Sequence, residues 1–318
     1  MSAHVLIAGP PSARPFLDQL GAAVGAEGGA TIVNRYDLAT PSDYAAWAET
    51  DIFATFGLPC SPADIAAAPR LRAVVTPSLG YEGVDTAALA ARGIGFANGH
   101  AAENFETVAE AAILFMLTNL YRLREVEARL RDDVRREGPP TARMLKGKTV
   151  GIIGFGNIAR ALVARLSGWD TDILVATRSP LAARGPNIRP VSLDELLARS
   201  DILVPLLPLT PETHGMLSRE RLLRTKAGAM LINLSRGAIV DEAALTDPEV
   251  TAHLGPVALD VFTVEPLPAD SPLRALEGAL LTNHEVSHTQ ENLGALFDLA
   301  LANLRAAVRG EAMPTQLG

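Results

Sequence analysis

Between Thr149 and Arg160 the chain reads Thr-Val-Gly-Ile-Ile-Gly-Phe-Gly-Asn-Ile-Ala-Arg, and the spacing of its small residues suits the binding of a nucleotide phosphate. The apolar run Val150, Ile152, Ile153 stops at Gly154, and helical spacing takes over at Ile158, Leu162 and Leu166. A strand that turns into a helix in this way aims the first N–H groups of the helix, and the positive end of its dipole, at whatever lies over the turn. Gly154 permits the tight turn, the missing side chain at Gly156 lets a pyrophosphate approach the backbone, and small Ala159 lets the helix pack on its strand. The glycine pattern is weak evidence by itself. Its place between a strand and a helix makes it a dinucleotide fingerprint, with Gly154, Gly156, Asn157 and Ile158 at the cofactor.

The elements that hold this turn follow from composition and order. A chain of 318 residues, 48% of them hydrophobic, can form two domains with cores built by burial alone. Its single cysteine, Cys60, has no partner for an internal disulfide, and no leader pattern opens the chain, which points to a reducing cytoplasm. The longest apolar run, residues 109–120, is interrupted by Glu110, Thr118 and Asn119, so no membrane span is expected. A net charge of −8 argues against a nucleic-acid surface. His4, His100, His214 and His253 lack metal-ligand spacing, so no metal is expected.

Short apolar runs alternate with helical patterns from the start: Val5–Ala8, Phe16–Val24, Ile52–Phe56, Ile65–Ala68 and Ala73–Val75. After the fingerprint the alternation resumes with strands at Asp172–Ala176, Asp201–Pro205, Ala229–Asn233, Val257–Asp260 and Leu280–Thr282, and helices at Leu193–Ala198 and Asp241–Leu245 between them. Alternation of this kind predicts an α/β fold, with parallel sheets wound on both faces by helices. One long helix is predicted from Asn104 to Arg136, apolar almost all round from Val108 to Leu117 and charged beyond, with Glu125/Arg129 and Glu127/Arg131 at i,i+4. Its apolar half suits a domain core or the interface of a homodimer through Val108–Leu120. A last helix, Glu291–Arg309, is expected to return to the first unit. The expected domains are therefore 1–99 with 290–318, and 100–289.

Several ordered motifs then resemble one family, the D-isomer-specific 2-hydroxyacid dehydrogenases. They are Gly147-Lys-Thr-Val-Gly-Ile-Ile-Gly-Phe-Gly-Asn157, Pro208-Leu-Thr-Pro-Glu-Thr213, Ile232-Asn-Leu-Ser-Arg-Gly-Ala-Ile-Val-Asp-Glu242, Leu259-Asp-Val-Phe-Thr-Val-Glu-Pro266 and Leu281-Thr-Asn-His284. The resemblance implies two doubly wound parallel-sheet domains, a Rossmann-type cofactor domain inserted in a flavodoxin-like substrate domain. It also implies three catalytic residues, Arg236, Glu265 and His284. A 2-oxo acid needs its carboxylate held, its carbonyl polarised and a proton delivered as hydride reaches the keto carbon. The planar fork of Arg236 suits the first two tasks. His284 would be the acid in reduction and the base in reverse, with Glu265 orienting its ring and favouring imidazolium. Singly, each has a bland reading as a solvated arginine, a loop carboxylate or a structural histidine.

By the same resemblance the loop Thr76-Pro-Ser-Leu-Gly-Tyr-Glu-Gly-Val-Asp85 would bind the substrate carboxylate through the N–H groups of Leu79 and Gly80. Thr107, Pro208, Thr213 and Asp260 join the cofactor set. Folds of this kind that use NAD usually carry an acidic residue about twenty positions past the glycines, on the ribose hydroxyls. Here the strand end reads Ala176-Thr177-Arg178-Ser179, a cation flanked by hydroxyls, which favours NADP(H) and leaves NAD(H) possible.

The expected function is reduction of a small 2-oxo acid of the glyoxylate or hydroxypyruvate class. Two departures from the family pattern, Asn283 for the usual proline and Glu285-Val-Ser-His288 for small apolar residues, bear on the substrate. The rivals are a formate or phosphite dehydrogenase on the same scaffold, and a nucleotide-sensing co-repressor without turnover. The first lacks its amide at Glu265 and its lysine near Ser78-Leu79. A phosphoglycerate dehydrogenase with an appended regulatory domain is disfavoured by the short stretch after the last helix.

Overall fold

The computed structural model describes residues 2–178 and 187–317. The chain opens with β1 (Ala3–Ala8), α1 (Arg14–Gly25), β2 (Ala30–Arg35), β3 (Ile52–Thr55), α2 (Pro62–Ala67), β4 (Ala73–Val75), α3 (Thr86–Ala91) and β5 (Gly95–Ala97). Helices α4 (Ala102–Leu120) and α5 (Leu123–Arg131) follow, then β6 (Thr149–Ile153), α6 (Asn157–Leu166), β7 (Asp172–Ala176), β8 (Ile188–Pro190) and α7 (Leu193–Arg199). Next come β9 (Ile202–Pro205), α8 (Arg219–Leu223), β10 (Met230–Asn233), α9 (Pro248–His253), β11 (Val257–Leu259) and β12 (Leu280–Leu281). The chain closes with α10 (Gln290–Arg309) and β13 (Gln316–Leu317). Packing divides it into two compact units, residues 1–104 with 289–318, and residues 105–288.

In the first unit the strand order is β13-β5-β4-β3-β1-β2, parallel throughout except for β13, which runs antiparallel to β5. Side chains alternate across a strand, so Val5 and Ile7 face Leu17, Leu20 and Leu304 of α1 and α10. Leu6 faces the other way, onto Ile65 and Leu89 of α2 and α3. Covering both faces is what an all-parallel core requires. Strand β2 lacked a clear signal because it is an edge strand, with mostly half-buried residues.

The second unit has order β12-β11-β10-β9-β6-β7-β8, all parallel. The winding reverses at β6, which pairs with β7 on one side and β9 on the other. Outside the carboxyl ends of such central strands lies the crevice where doubly wound sheets bind ligands. Val150 and Ile152 join the apolar face of α4, with Phe115 and Met116, while Ile153 joins Leu196 and Leu197 of α7. A side chain on Gly151 would put its Cβ 2.1 Å from the Ser200 hydroxyl, so glycine is what lets this layer close.

Two expectations are corrected. The single helix predicted over 104–136 is two, broken where Arg122 takes a left-handed backbone (φ 52°) and bonds to Glu125 and Thr141. The cause is burial: Leu120 is the last buried residue of α4, and α5 buries none. Of the two predicted i,i+4 pairs, Glu127–Arg131 forms at 2.6 Å, whereas Glu125 turns to Arg122. The helix expected at Asp241–Leu245 is only a 3-10 turn, Ala244–Thr246, followed by α9 with Asp247 as its cap. No described helix is long and apolar enough to cross a membrane.

Candidate active site

The fingerprint turn has the shape that its glycines imply. Gly154 holds φ +94°, and a Cβ there would sit 2.5 Å from the Leu206 carbonyl oxygen, so its missing side chain lets β6 turn against the end of β9. Gly156 differs: nothing lies within 4 Å of where its Cβ would be. Its bareness is not demanded by the protein's own packing and leaves room over the N-terminus of α6, where Gly156 is the N-cap. Ala159 is fully buried beneath. Asn157 is exposed and Ile158 half-buried in the first turn. These residues fit a bound pyrophosphate.

At the end of β10 the chain is shaped by one buried amide. Asn233 accepts from the Ser235 N–H (3.1 Å) and hydroxyl (2.9 Å), and donates to the Arg236 carbonyl oxygen at 2.9 Å. This Asx-type turn presents Arg236 half-buried, its guanidinium donating to the Ser235 carbonyl at 2.7 Å. The next residue, Gly237, rests on the following loop so closely that a Cβ would lie 1.9 Å from the Phe262 carbonyl carbon. A second tie runs from the Thr263 N–H to the Glu242 carboxylate at 2.5 Å. The Arg236 turn and the Glu265 loop are thus one packed piece.

Glu265 and His284, nineteen residues apart, meet in that piece. Glu265 Oε1 accepts from the Phe262 N–H at 2.9 Å, and Oε2 lies 2.7 Å from His284 Nδ1. His284 itself stands in a left-handed conformation (φ 56°), rare for a residue with a Cβ. Asp260, 1% exposed, accounts for it. Its carbonyl accepts from the His284 N–H at 2.7 Å, and Oδ1 accepts from the Thr282 hydroxyl (2.6 Å) and the Glu285 N–H (3.0 Å). Asp260 therefore grips the histidine loop on both sides of His284.

The electrostatics follow from this arrangement. The hydrogen bond that His284 donates to the Glu265 carboxylate raises the His284 pKa above 6.5, against the opposing effect of burial, and the charges of Glu265 and Asp260 add to the rise. Burial pushes the Glu265 carboxyl up, but the bonds from His284 and the Phe262 N–H, with the charges of His284 and Arg236, bring it below 4.5. The pair is an imidazolium–carboxylate over a widened pH range, with the far ring nitrogen, Nε2, left to act as acid.

The other expected cofactor residues lie in the same unit. Thr213 is buried, donating to the Pro208 carbonyl at 2.8 Å and accepting from the Thr210 N–H at 2.7 Å, so it braces the loop on which exposed Pro208 stands. Thr107 is buried in α4. Thr177 is half-buried and Arg178 exposed just past β7, and Glu212, held below the usual carboxylate range chiefly by the Thr210 hydroxyl, also feels the Arg178 charge. Ser179 falls outside the described residues.

Leu79 and Gly80 belong to the first unit. Their loop is tied back by its carbonyls: Leu79 O accepts from Asn98 at 2.8 Å, Gly80 O from the Ser78 hydroxyl at 2.9 Å, and Ser78 O from the Gly99 N–H at 2.9 Å. Among the described residues the Leu79 and Gly80 N–H groups donate to no protein acceptor. Glu285 and His288 both expose their side chains. Sequence reasoning missed the parts played by Asn233, Gly237 and Glu242. Asn three residues before the arginine was a usable turn signal, whereas the packing of Gly237 had none.

Comparison with known proteins places this geometry. The family profile described as D-isomer specific 2-hydroxyacid dehydrogenase, NAD binding domain, matches residues 113–285. A glyoxylate/hydroxypyruvate reductase B of Pectobacterium carotovorum is 38% identical over 250 residues, covering 77% of this chain and 78% of that protein. D-3-phosphoglycerate dehydrogenase of Mycobacterium leprae is 34% identical over 252 residues, 79% of this chain and 47% of that protein. The chain thus spans about half the length of the phosphoglycerate dehydrogenases it matches. Among solved structures, an NADPH-dependent glyoxylate/hydroxypyruvate reductase from Sinorhizobium meliloti, in complex with NADP and malonate, superposes with a TM-score of 0.86. It is 28% identical, and the match covers 100% of this chain and 97% of that one.

Proposed function

We propose the reaction from one premise: the chain belongs to the D-isomer-specific 2-hydroxyacid dehydrogenase family. It is a reductase of small 2-oxo acids, using a reduced nicotinamide dinucleotide and forming the D-2-hydroxy acid. The single observation that carries this is the Glu265–His284 pair, held in one packed piece with the Arg236 turn. The dinucleotide, when bound, supplies the hydride that adds to the keto carbon. Arg236 pairs with the substrate carboxylate and polarises the carbonyl. Protonated His284 gives its Nε2 proton to the carbonyl oxygen as the alcohol forms, and Glu265 stabilises the imidazolium until then. The N–H groups of Leu79 and Gly80 take the carboxylate in the first unit's loop.

Residues 105–288 hold the cofactor, through Gly154, Gly156, Asn157, Ile158, Thr107, Thr177, Arg178, Ser179, Pro208, Thr213 and Asp260. NADPH is the preferred form, because Thr177 and Arg178, just past the end of β7, offer a hydroxyl and a cation where folds that use NAD usually carry an acidic residue. The enzyme works in a reducing cytoplasm. There Cys60 stays a buried thiol, pushed up to about 12 by burial and so unreactive. The homodimer expected through Val108–Leu120 finds most of that face taken up by the chain's own core, where Val108, Ala112, Phe115 and Met116 are buried, and Leu114 left exposed; the proposed pairing is therefore through α5 and its flanks, where Tyr121, Leu123, Val126, Leu130 and Val134 are exposed although apolar.

The test is steady-state oxidation of NADPH and of NADH with glyoxylate, hydroxypyruvate and pyruvate. NADPH-linked turnover that falls about 100-fold or more in His284→Gln is expected. Arg178→Ala should erode the NADPH preference by about tenfold or more. Full activity in His284→Gln, or no turnover of any 2-oxo acid, would overturn the reading.

A further inference from the structure

One short segment at the end of β5 holds two consecutive carbonyls of the loop that follows β4. The Asn98 side-chain amide donates to the Leu79 carbonyl at 2.8 Å, and the Gly99 N–H donates to the Ser78 carbonyl at 2.9 Å. The Ser78–Leu79 and Leu79–Gly80 peptide bonds are trans, so in each of them the N–H points opposite to the carbonyl. With both carbonyls drawn onto Asn98 and Gly99, the Leu79 and Gly80 N–H groups face away from that segment, where they donate to no protein acceptor among the described residues. Successive N–H groups turned to one side suit an anion.

Resting on the reading of Leu79 and Gly80 as donors to the substrate carboxylate, we propose that Asn98 is a positioning residue that aims them, and that Thr315 holds Asn98 in place. Asn98 is 3% exposed. A buried amide costs stability where an apolar side chain could fill the same space, unless its hydrogen bonds offset the loss of water. Here the side-chain oxygen accepts from no described residue, so the one bond the amide makes is the one to the loop. Gly99 permits the close approach: a Cβ there would lie 2.1 Å from the Pro77 carbonyl oxygen and 2.7 Å from Leu296 Cδ2.

The brace behind Asn98 comes from the far end of the chain. The Thr315 hydroxyl donates to the Asn98 carbonyl at 2.8 Å and accepts from the Asn303 amide at 2.9 Å, while the Thr315 N–H donates to Asn303 Oδ1 at 3.2 Å. Asn303 is 1% exposed on α10, and β13 continues from Thr315 along β5, with Gln316 opposite Ala97. The bonds thus run from α10 through Thr315 and Asn98 to the Leu79 carbonyl. In a buried network of this kind each bond fixes the geometry of the next, so losing an early member loosens the last.

The experiment measures KM and kcat for glyoxylate, the inhibition constant of oxamate, an unreactive carboxylate, and the Kd of NADPH. It compares the wild type with Asn98→Ala, Thr315→Val and Thr315→Ser. Asn98→Ala leaves the Leu79 carbonyl without its donor and should raise KM and the oxamate constant together by about tenfold, with a smaller change in kcat and none in NADPH binding. Thr315→Val keeps the shape without the hydroxyl and should raise both by about threefold, whereas Thr315→Ser keeps the hydroxyl and should hold them near the wild type. Loss of packing alone would lower Tm without separating KM from kcat and without separating valine from serine. A folded Asn98→Ala with wild-type KM, or one whose kcat and NADPH affinity fall as far as KM rises, would overturn the assignment while leaving the reductase reading intact. If Asn98→Ala does not fold, equal KM in the valine and serine variants would overturn it. No turnover of any 2-oxo acid by the wild type would overturn the reductase reading itself, and this assignment with it.

Discussion

Glu265→Gln removes the charge of the Glu265–His284 pair while keeping its shape. The carboxylate lies 2.7 Å from His284 Nδ1 and accepts from the Phe262 N–H at 2.9 Å, and its bond to the ring is the chief cause of the raised His284 pKa. A hydrogen bond to a charged group contributes about 1.5–3 kcal/mol net. The His284 side chain is 47% exposed and that of Glu265 35%, so screening by water puts this pair near the low end. A loss of about 1.5 kcal/mol in the protonated state corresponds to roughly tenfold in rate at pH above the His284 pKa.

The direction of the pH effect follows from the role of the proton. On the proposed roles, reduction needs His284 protonated, so kcat/KM should fall as pH rises through its pKa. Losing the carboxylate lowers that pKa, and the alkaline limb of the profile must move to lower pH. The assay is NADPH oxidation with glyoxylate across about pH 5–9, where a histidine of this kind titrates. A variant with native circular dichroism and an unmoved alkaline limb would refute the argument that Glu265 acts through the charge of His284.

Other outcomes follow from the same geometry. The lowered Glu265 pKa stabilises the fold above 4.5 and that gain is lost as pH falls; the raised His284 pKa stabilises it below 6.5 and that gain is lost as pH rises. Thermal unfolding should therefore show the widest gap between wild type and Glu265→Gln between pH 4.5 and 6.5, narrowing on either side. Gly154→Ala and Gly156→Ala should behave oppositely. The first strains a φ of +94° against the Leu206 carbonyl and lowers Tm, whereas the second meets open space, keeps Tm and weakens NADPH binding. Calorimetry of both with and without cofactor tests this. Gly237→Ala forces the Arg236 turn off the Glu265 loop and should cost about 1–3 kcal/mol in denaturant unfolding together with most of the activity. Leu130→Asp, at a residue 81% exposed, should give a monomeric mass by light scattering if α5 joins two copies, and an unchanged mass would exclude that face.

Much of this architecture was legible from local order. The continuous apolar runs at Val5–Ala8 and Val150–Ile153, with helical spacing after each, specify parallel strands covered on both faces, because each run needs two apolar layers. The glycines at 154 and 156 marked the turn after β6, since a sharp change of period with no side chain has few other uses. The edge strand β2 was missed for the same reason that the others were found: its mostly half-buried residues include Thr31, Asn34 and Arg35 and leave no continuous apolar run.

What sequence by itself determined about this protein is therefore its α/β layering, its nucleotide turn and, through motif resemblance, the residue types at the site. Tertiary structure decided the rest. Nothing local in residues 104–136 marked Arg122 as the break, which depends on where burial ends and on a bond to Thr141, nineteen residues away. Glu265 meets His284 only because Asp260 grips the histidine loop and Gly237 packs on the Phe262–Thr263 peptide. Periodicity reports on neighbours three or four residues apart, whereas the geometry of the candidate site is set by contacts between strand ends that only the folded sheet brings together.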